Sequence, residues 1–382
     1  MLVSAHGRIP LTCQELIARE IPQQGSISFA RFMELALYAP EVGYYNSGIR
    51  RVGGSGDFYT SVSVGPALGA VLASLYEEMW TALGKPQEFF VVEQGADDGQ
   101  LAADVLTAAS PEFLHSLRYA IVEPLPTLKE IQKSRLSDWP VIWFDSLQDL
   151  PEFEGVHFSN ELVDALPFHL LCSDGSQWKE MQIRHGETGF EFTETQLPEN
   201  LSALTDHFPT RPAGYLTEIR PVANLWIKQV ANRLKRGFLL VLDYGLSREQ
   251  LLREDRVRGT FASFRAHRSD DHVLEDPGQK DITAHVDFTA LADAGFSVGF
   301  KACGFCDQHH FLVGAATALL RSLDGQMPTD ANTKFLRALK ALMHPESMGT
   351  QFFAFCLTAG LPDPIPLSAF RDGVVGFKKV LV

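Results

Sequence analysis

Short strand-like runs around residues 88–93, 118–123, 141–145 and 156–161 each close on an acid or an acid–amide pair: Glu93, Glu123, Asp145 and Asn160-Glu161. Carboxylates at such ends accept hydroxyl and ammonium hydrogens through charge-assisted bonds. Asp164 follows Glu161 by three residues. Paired carboxylates of this kind can hold a guanidinium or ammonium in a fixed orientation. Each feature also has an ordinary counterpart. A strand-end acid is commonly a solvated charge, and Asn160 with Glu161 suits a helix N-cap with an acidic first turn.

Gly95 and Gly99 stand four residues apart just beyond Glu93. A strand, a glycine turn and a helix N-terminus present backbone N–H groups to a ligand. The dinucleotide fingerprint requires a third glycine three residues after the second, and it is missing here. No Lys or Arg lies near the turn in sequence to meet phosphates. The pattern suits S-adenosylmethionine, whose amino-acid end carries both a carboxylate and an ammonium. Backbone donors would meet the first, and Glu93, Asp97 or Asp98 the second. Glu123 is placed to accept the ribose hydroxyls and Asp145 to meet the adenine amino group. A bare strand–glycine–helix turn is equally an ordinary α/β connection. Transfer of a methyl from a sulfonium is an in-line displacement, so the protein's part is positioning the acceptor and excluding water. His267 and His285 are candidates for taking up the released proton, because imidazole titrates near neutrality. Arg265 is a candidate partner for a carboxylate. A lone His or Arg is also commonly structural.

The elements that position these residues alternate. Residues 11–40 carry a helical apolar spacing, with Ser26 or Ser28 as a cap, and 64–80 form a further helix. Strands at 88–93, 118–123, 141–144, 156–161 and 237–245 alternate with helices that include 127–136 and 221–236. Segments 296–303 and 351–358 would complete a seven-stranded sheet. Two stretches interrupt the alternation: 168–215, with short strand-like pieces, and 246–287, which is polar. The expected layout is a helical region with a glycine-rich covering loop over 1–80, then an α/β domain over 81–382 carrying those two insertions.

The chain has 382 residues, 45% hydrophobic and 21% charged, with a net charge of −14. That acidity argues against nonspecific nucleic-acid binding, which needs an excess of Lys and Arg. Five scattered cysteines fit reduced thiols and a cytoplasmic setting. No apolar run approaches the ~20 residues needed to span a bilayer. Cys303 and Cys306 with His309 and His310 have a zinc-like spacing, but no second Cys pair accompanies them, and no metal is assigned.

Several blocks in one order carry a family resemblance: Gly43-Tyr44-Tyr45 with 56–61, the turn from Val92 to Leu101, Asn160-Glu161 with 164–167, Asp243-Tyr244-Gly245, Gly259-Thr260 with Arg265 and His267, 281–288, and Met348-Gly349 before Phe352-Phe353. The sequence resembles the MidA-like methyltransferases, the family that includes the mitochondrial complex I assembly arginine methyltransferase. The resemblance implies a class I methyltransferase fold, a Rossmann-like seven-stranded sheet. It implies S-adenosylmethionine held by Gly95, Gly99, Glu123 and Asp145, and Thr60 in a covering loop. Asn160, Glu161 and Asp164 would line the transfer pocket. The acceptor implied is a protein side chain, arginine favoured, with a respiratory-complex subunit as a partner by resemblance. The alternatives are a catalytically silent cofactor-binding assembly factor and a small-molecule methyltransferase. The sequence departs from the family at Ala96-Asp97, where Gly-Pro is usual, at Val62-Ser63 in place of Pro-Glu, and at Ala262 in place of arginine.

Overall fold

The computed structural model describes residues 11–22, 25–46, 61–265, 268–270, 272–325, 327, 329–344, 349–362 and 365–370. Thr60 and His267 lie outside the described residues, as does most of the glycine-rich stretch between them and the first helices.

Seven strands build the main run of the central sheet: β1 (Phe89–Gln94), β2 (Leu117–Val122), β3 (Ile142–Phe144), β4 (Phe153–Asn160), β5 (Leu234–Leu246), β6 (Lys301–Asp307) and β7 (Phe352–Ala359); the two-residue strand Val286–Asp287 joins as an eighth, parallel to the end of β5. Their order is β3-β2-β1-β4-β5-β7-β6. All neighbours are parallel except β7, which runs antiparallel to both β5 and β6. Successive side chains of a strand face opposite sides, so a sheet covered on both faces needs unbroken apolar strands. In β5, Phe238, Leu240 and Leu242 join one core with Leu68, Val71, Leu72 and Val105, from helices Ala67–Ala82 and Gln100–Ala108. Leu239 and Val241 join the other, with Trp226, Ile227 and Val230 of helix Pro221–Arg233 and Leu291 of helix Phe288–Ser297. Each fully buried Val, Leu or Phe contributes about 1.5–3 kcal/mol. The result is three layers, helix–sheet–helix.

A third core cluster lies over the N-terminal helices. Phe29, Phe32 and Met33 of helix Phe29–Tyr38 pack with Phe168, Leu170 and Ile183 from the first insertion and Ile282 and Ala284 from the second. Ser28 caps that helix by accepting from Arg31 N–H at 3.1 Å, while Ser26 bonds Gln182 instead. Three strands of the first insertion form a five-stranded antiparallel sheet with Ile27–Ser28 and Leu216–Ile219, and the second insertion forms a three-stranded one centred on Ala262–Arg265.

One strand is displaced from expectation. Residues 296 and 297 complete a helix capped by Asp287, and β6 starts only at Lys301. The helix ends at Ser297 with Val298 as its C-cap, and Gly299 follows with a φ of +89° that suits a C-terminal turn. Among the described residues no helix is long and apolar enough to cross a membrane, and no group of three His, Cys, Asp or Glu side chains could hold a metal ion.

Candidate active site

The chain reverses its direction of travel across the sheet between β1 and β4. Ligands of open α/β sheets bind in the crevice beyond the strand ends at such a point. A cleft of about 1230 Å³ opens there. The turns after β1, β2, β4 and β5 line it, joined by tyrosines from the N-terminal region and by Asp281, Thr283 and His285.

One end is organised by the glycine turn. Gly95 and Gly99 both have φ of +80°, a region that disfavours side chains. Gly99 is the N-cap of helix Gln100–Ala108, and a Cβ on Gly95 would stand 3.1 Å from Leu162. Glu93 is only 2% exposed, and its Oε2 accepts from the Tyr119 hydroxyl at 2.6 Å. Burial outweighs that bond and pushes its pKa up to about 7. Glu123 is held by the Leu125 N–H at 2.9 Å and Gln132 Nε2 at 3.0 Å. Its pKa also rises to about 7, again chiefly through burial. Leu125, Leu128 and Ile131 supply an apolar wall beside it.

The other end is acidic and aromatic. No helix follows β4, so the N-cap alternative for Asn160 does not apply. Instead Glu161 takes a φ of +52° while its N–H extends the ladder to Leu242 O at 2.9 Å. A non-glycine residue in that region is strained and marks a position held by its surroundings. Asn160 Nδ2 donates to Glu161 Oε1 at 3.1 Å, leaving the buried Asn160 Oδ1 without a donor. Asp164 Oδ2 accepts from the Tyr244 hydroxyl, and its buried Oδ1 also lacks a donor. Asp243 accepts from the N–H groups of Val163 and Asp164 through one oxygen and from Tyr244 N–H through the other. Burial raises the pKa of Asp164, and burial reinforced by Asp164 and Glu161 raises that of Asp243. Tyr38 donates to Ala165 O at 2.9 Å, Tyr45 to Asp281 Oδ1 at 2.9 Å, and the two rings stack at 5.4 Å.

The structure therefore gathers Glu93, Gly95, Glu123, Asn160, Glu161, Asp164 and His285 along one cleft, while Gly99 stands behind the turn against Leu136 and Gln132. Three expectations require correction. Asp145 is not brought there: its side chain is 81% exposed and pairs with Lys129, because β3 is a three-residue edge strand turned to solvent. Arg265 is likewise exposed and pairs with Asp276 at 3.2 Å. An arginine does reach the glycine turn. Arg135 lines the cleft from helix Pro126–Arg135, although its charge is matched by Asp98 at 2.6 Å. His285 packs edge-on against Tyr244, and burial lowers its pKa to about 4, so the ring stays neutral near pH 7. Tyr38, Tyr45, Asp243, Tyr244 and Asp281 were not assigned roles from sequence. The signal available was that 43–45, 243–245 and 281–288 stand among the ordered blocks.

A sheet of this order with an acid-lined cleft at its reversal point has the ligand-binding arrangement of the doubly wound α/β proteins. The family model described as "Putative S-adenosyl-L-methionine-dependent methyltransferase" matches residues 71–306, and the chain belongs to that family. Its cofactor is S-adenosylmethionine and its reaction class methyl transfer. The chain is 28% identical over 397 residues to the mitochondrial protein arginine methyltransferase NDUFAF7 of Xenopus laevis, covering 95% of this chain and 88% of that one. It is 28% identical over 375 residues to the human protein of the same name, covering 88% and 81%. A "likely methyl transferase" from Burkholderia thailandensis, solved with S-adenosyl-homocysteine bound, superposes with a TM-score of 0.83 at 29% identity, covering 96% of this chain and 98% of that one.

Proposed function

We propose that this methyltransferase acts on the guanidinium of a protein arginine, in the recess bounded by Asn160, Glu161 and Asp164. The observation that carries the reading is the set of acceptors lacking donors: Asn160 Oδ1 and Asp164 Oδ1, both buried, beside the Glu161 carboxylate. An unsatisfied buried acceptor costs about 1–3 kcal/mol. A guanidinium presents five N–H donors and no acceptor, so it relieves several of these costs at once. The names of the NDUFAF7 relatives point the same way, towards arginine in a protein.

The glycine turn, Glu93 and Glu123 fit the cofactor, which supplies an electrophilic methyl on a sulfonium. Backbone donors of the turn at Gly95–Asp98 and the carboxylate of Glu93 suit its amino-acid end, and Glu123 suits its ribose, while the Gly99 N–H closes the turn on Ala96 O at 2.8 Å. Asn160 and Glu161 then orient the acceptor nitrogen for in-line attack. Asp164, with its pKa raised by burial, takes the proton that leaves that nitrogen. His285, neutral near pH 7 and hard to protonate, serves as a wall rather than a proton store.

The test follows incorporation of labelled methyl groups into proteins of a cell extract, with amino-acid analysis of the labelled band. Glu161→Gln is expected to lower incorporation by about a hundredfold while retaining S-adenosylhomocysteine binding. Wild-type labelling on a residue other than arginine, or undiminished labelling by the variant, overturns the assignment.

A further inference from the structure

Two residues that do not line the cleft hold its acceptor end together. Arg220 stands at the start of helix Pro221–Arg233, directly after strand Leu216–Ile219. Its guanidinium donates only to main-chain carbonyls: Nε to Leu166 O at 2.9 Å, Nη2 to Asp164 O at 2.9 Å and Ala284 O at 3.1 Å, and Nη1 to His285 O at 3.4 Å. Its face lies 5.4 Å from the Phe168 ring centre. One planar cation thus ties the turn after β4 to the end of the second insertion. Glu218, two residues earlier, does the same for a third segment. Its Oε1 accepts from the N–H of Thr260 at 2.6 Å and of Phe261 at 2.8 Å, and its Oε2 from the Thr260 hydroxyl at 3.3 Å. That hydroxyl oxygen in turn accepts from the His285 N–H at 3.0 Å, which closes the circuit. The Gly259-Thr260 pair gains a reason here. A Cβ on Gly259 would lie 2.4 Å from Glu218 Oε1, and its φ is +68°.

We propose that Glu218 and Arg220 are positioning residues for methyl transfer, fixing the loops that present Asp164 and His285 to the acceptor. The inference rests on the acceptor site described above. Three segments far apart in sequence are registered by two side chains from one strand end. Displacing them moves the acceptor recess and leaves the glycine turn in place. Misplacement of about 1 Å at a reacting group can cost about a hundredfold in rate. Lysine cannot replace the arginine, because a point charge does not reach four carbonyls at once.

The experiment uses the full chain with Arg220→Met, Arg220→Lys and Glu218→Gln, and Glu161→Gln as reference. Affinity for S-adenosylhomocysteine is measured by calorimetry, and methyl transfer by initial rates of label incorporation into extract protein. The expected result is about a hundredfold loss of rate in Arg220→Met, with cofactor affinity within about twofold of wild type. Arg220→Lys and Glu218→Gln fall between these limits. Parallel loss of cofactor affinity and rate in all three variants shows a merely structural role and overturns the inference. Unchanged rates in the Arg220 variants with a slowed Glu161→Gln overturn it while leaving the site assignment standing. An unchanged Glu161→Gln overturns both.

Discussion

Glu93→Gln separates a carboxylate kept for a ligand from one kept for the fold, because the two effects have opposite signs. In the folded chain burial raises the Glu93 pKa from 4.5 to about 7. Between those values the folded state holds a proton that the unfolded state has released. Stability therefore falls as pH rises from about 4.5 to about 7 and is level above that. At ~1.4 kcal/mol per unit, the group costs at most about 3 kcal/mol at pH 8. The amide isostere avoids that cost. It can still accept from the Tyr119 hydroxyl. The variant is thus expected to be more stable than wild type at pH 8, by up to about 3 kcal/mol. The two should converge near pH 4. Glu123, Asp164 and Asp243 contribute slopes of the same sign to both proteins, so only the difference isolates Glu93. Cofactor affinity moves the other way. An ammonium favours the ionised carboxylate, so wild-type affinity should rise as pH increases through about 7. The variant should bind about tenfold more weakly at pH 8, with little pH dependence, since a charged hydrogen bond is worth about 1.5–3 kcal/mol. Urea denaturation at pH 5 and 8, with calorimetry of S-adenosylmethionine binding at the same pH values, reads both. A variant that binds as tightly as wild type at pH 8 refutes the role given to Glu93. One that is less stable there refutes the burial argument.

Gly95→Ala must place a side chain at φ +80° and press its Cβ towards Leu162. We expect a loss of about 1–2 kcal/mol in urea denaturation and weaker cofactor binding by calorimetry. Asp145→Ala is expected to change stability by less than about 1 kcal/mol and cofactor affinity by less than about twofold, because it removes only an exposed ion pair. A large loss of affinity would return Asp145 to the cofactor site.

What could be read from the sequence was local. The turn Gly95–Gly99 follows an apolar strand, and both its glycines need the positive φ that their presence suggested. Asn160, Glu161 and Asp164 were legible for the same reason, as a short block beyond another strand. Asp145 misled because the strand-end argument assumes that every strand reaches the cleft edge, and β3 is a short strand at the border of the sheet. Arg135 was invisible because a helix carries it back to Asp98, 37 residues away in sequence. Arg220 was out of reach in principle. Its partners are main-chain carbonyls 54 to 65 residues distant, and a carbonyl leaves no mark on residue type. Tyr38 is the same case at 127 residues.

The acidic recess is costly in the free protein, and under the proposed function that cost is the expected source of its selectivity. Asp164 and Asp243 are both buried; burial raises the proton affinity of each, and Asp164 raises that of Asp243 further. Asp243 accepts from three N–H groups that offset its burial, whereas Asp164 accepts from the Tyr244 hydroxyl, is further favoured in its ionised form by the N–H groups of Ala165 and Asp164, and keeps a buried Oδ1 without a well-aligned donor. Arg220 lies near enough to favour the ionised form of Asp164, yet its own donors are committed to carbonyls. It therefore stabilises the charge without satisfying the oxygen. A neutral hydroxyl acceptor would leave the charge uncompensated, and a carboxylate substrate would add to it. A cation with several donors removes both penalties together, and removes more of them if it is planar and can meet Asn160 Oδ1 at the same time. Under the proposed function, arginine is expected to be preferred over lysine, since a planar guanidinium presents several donors in a fixed fork whereas an ammonium is a point charge.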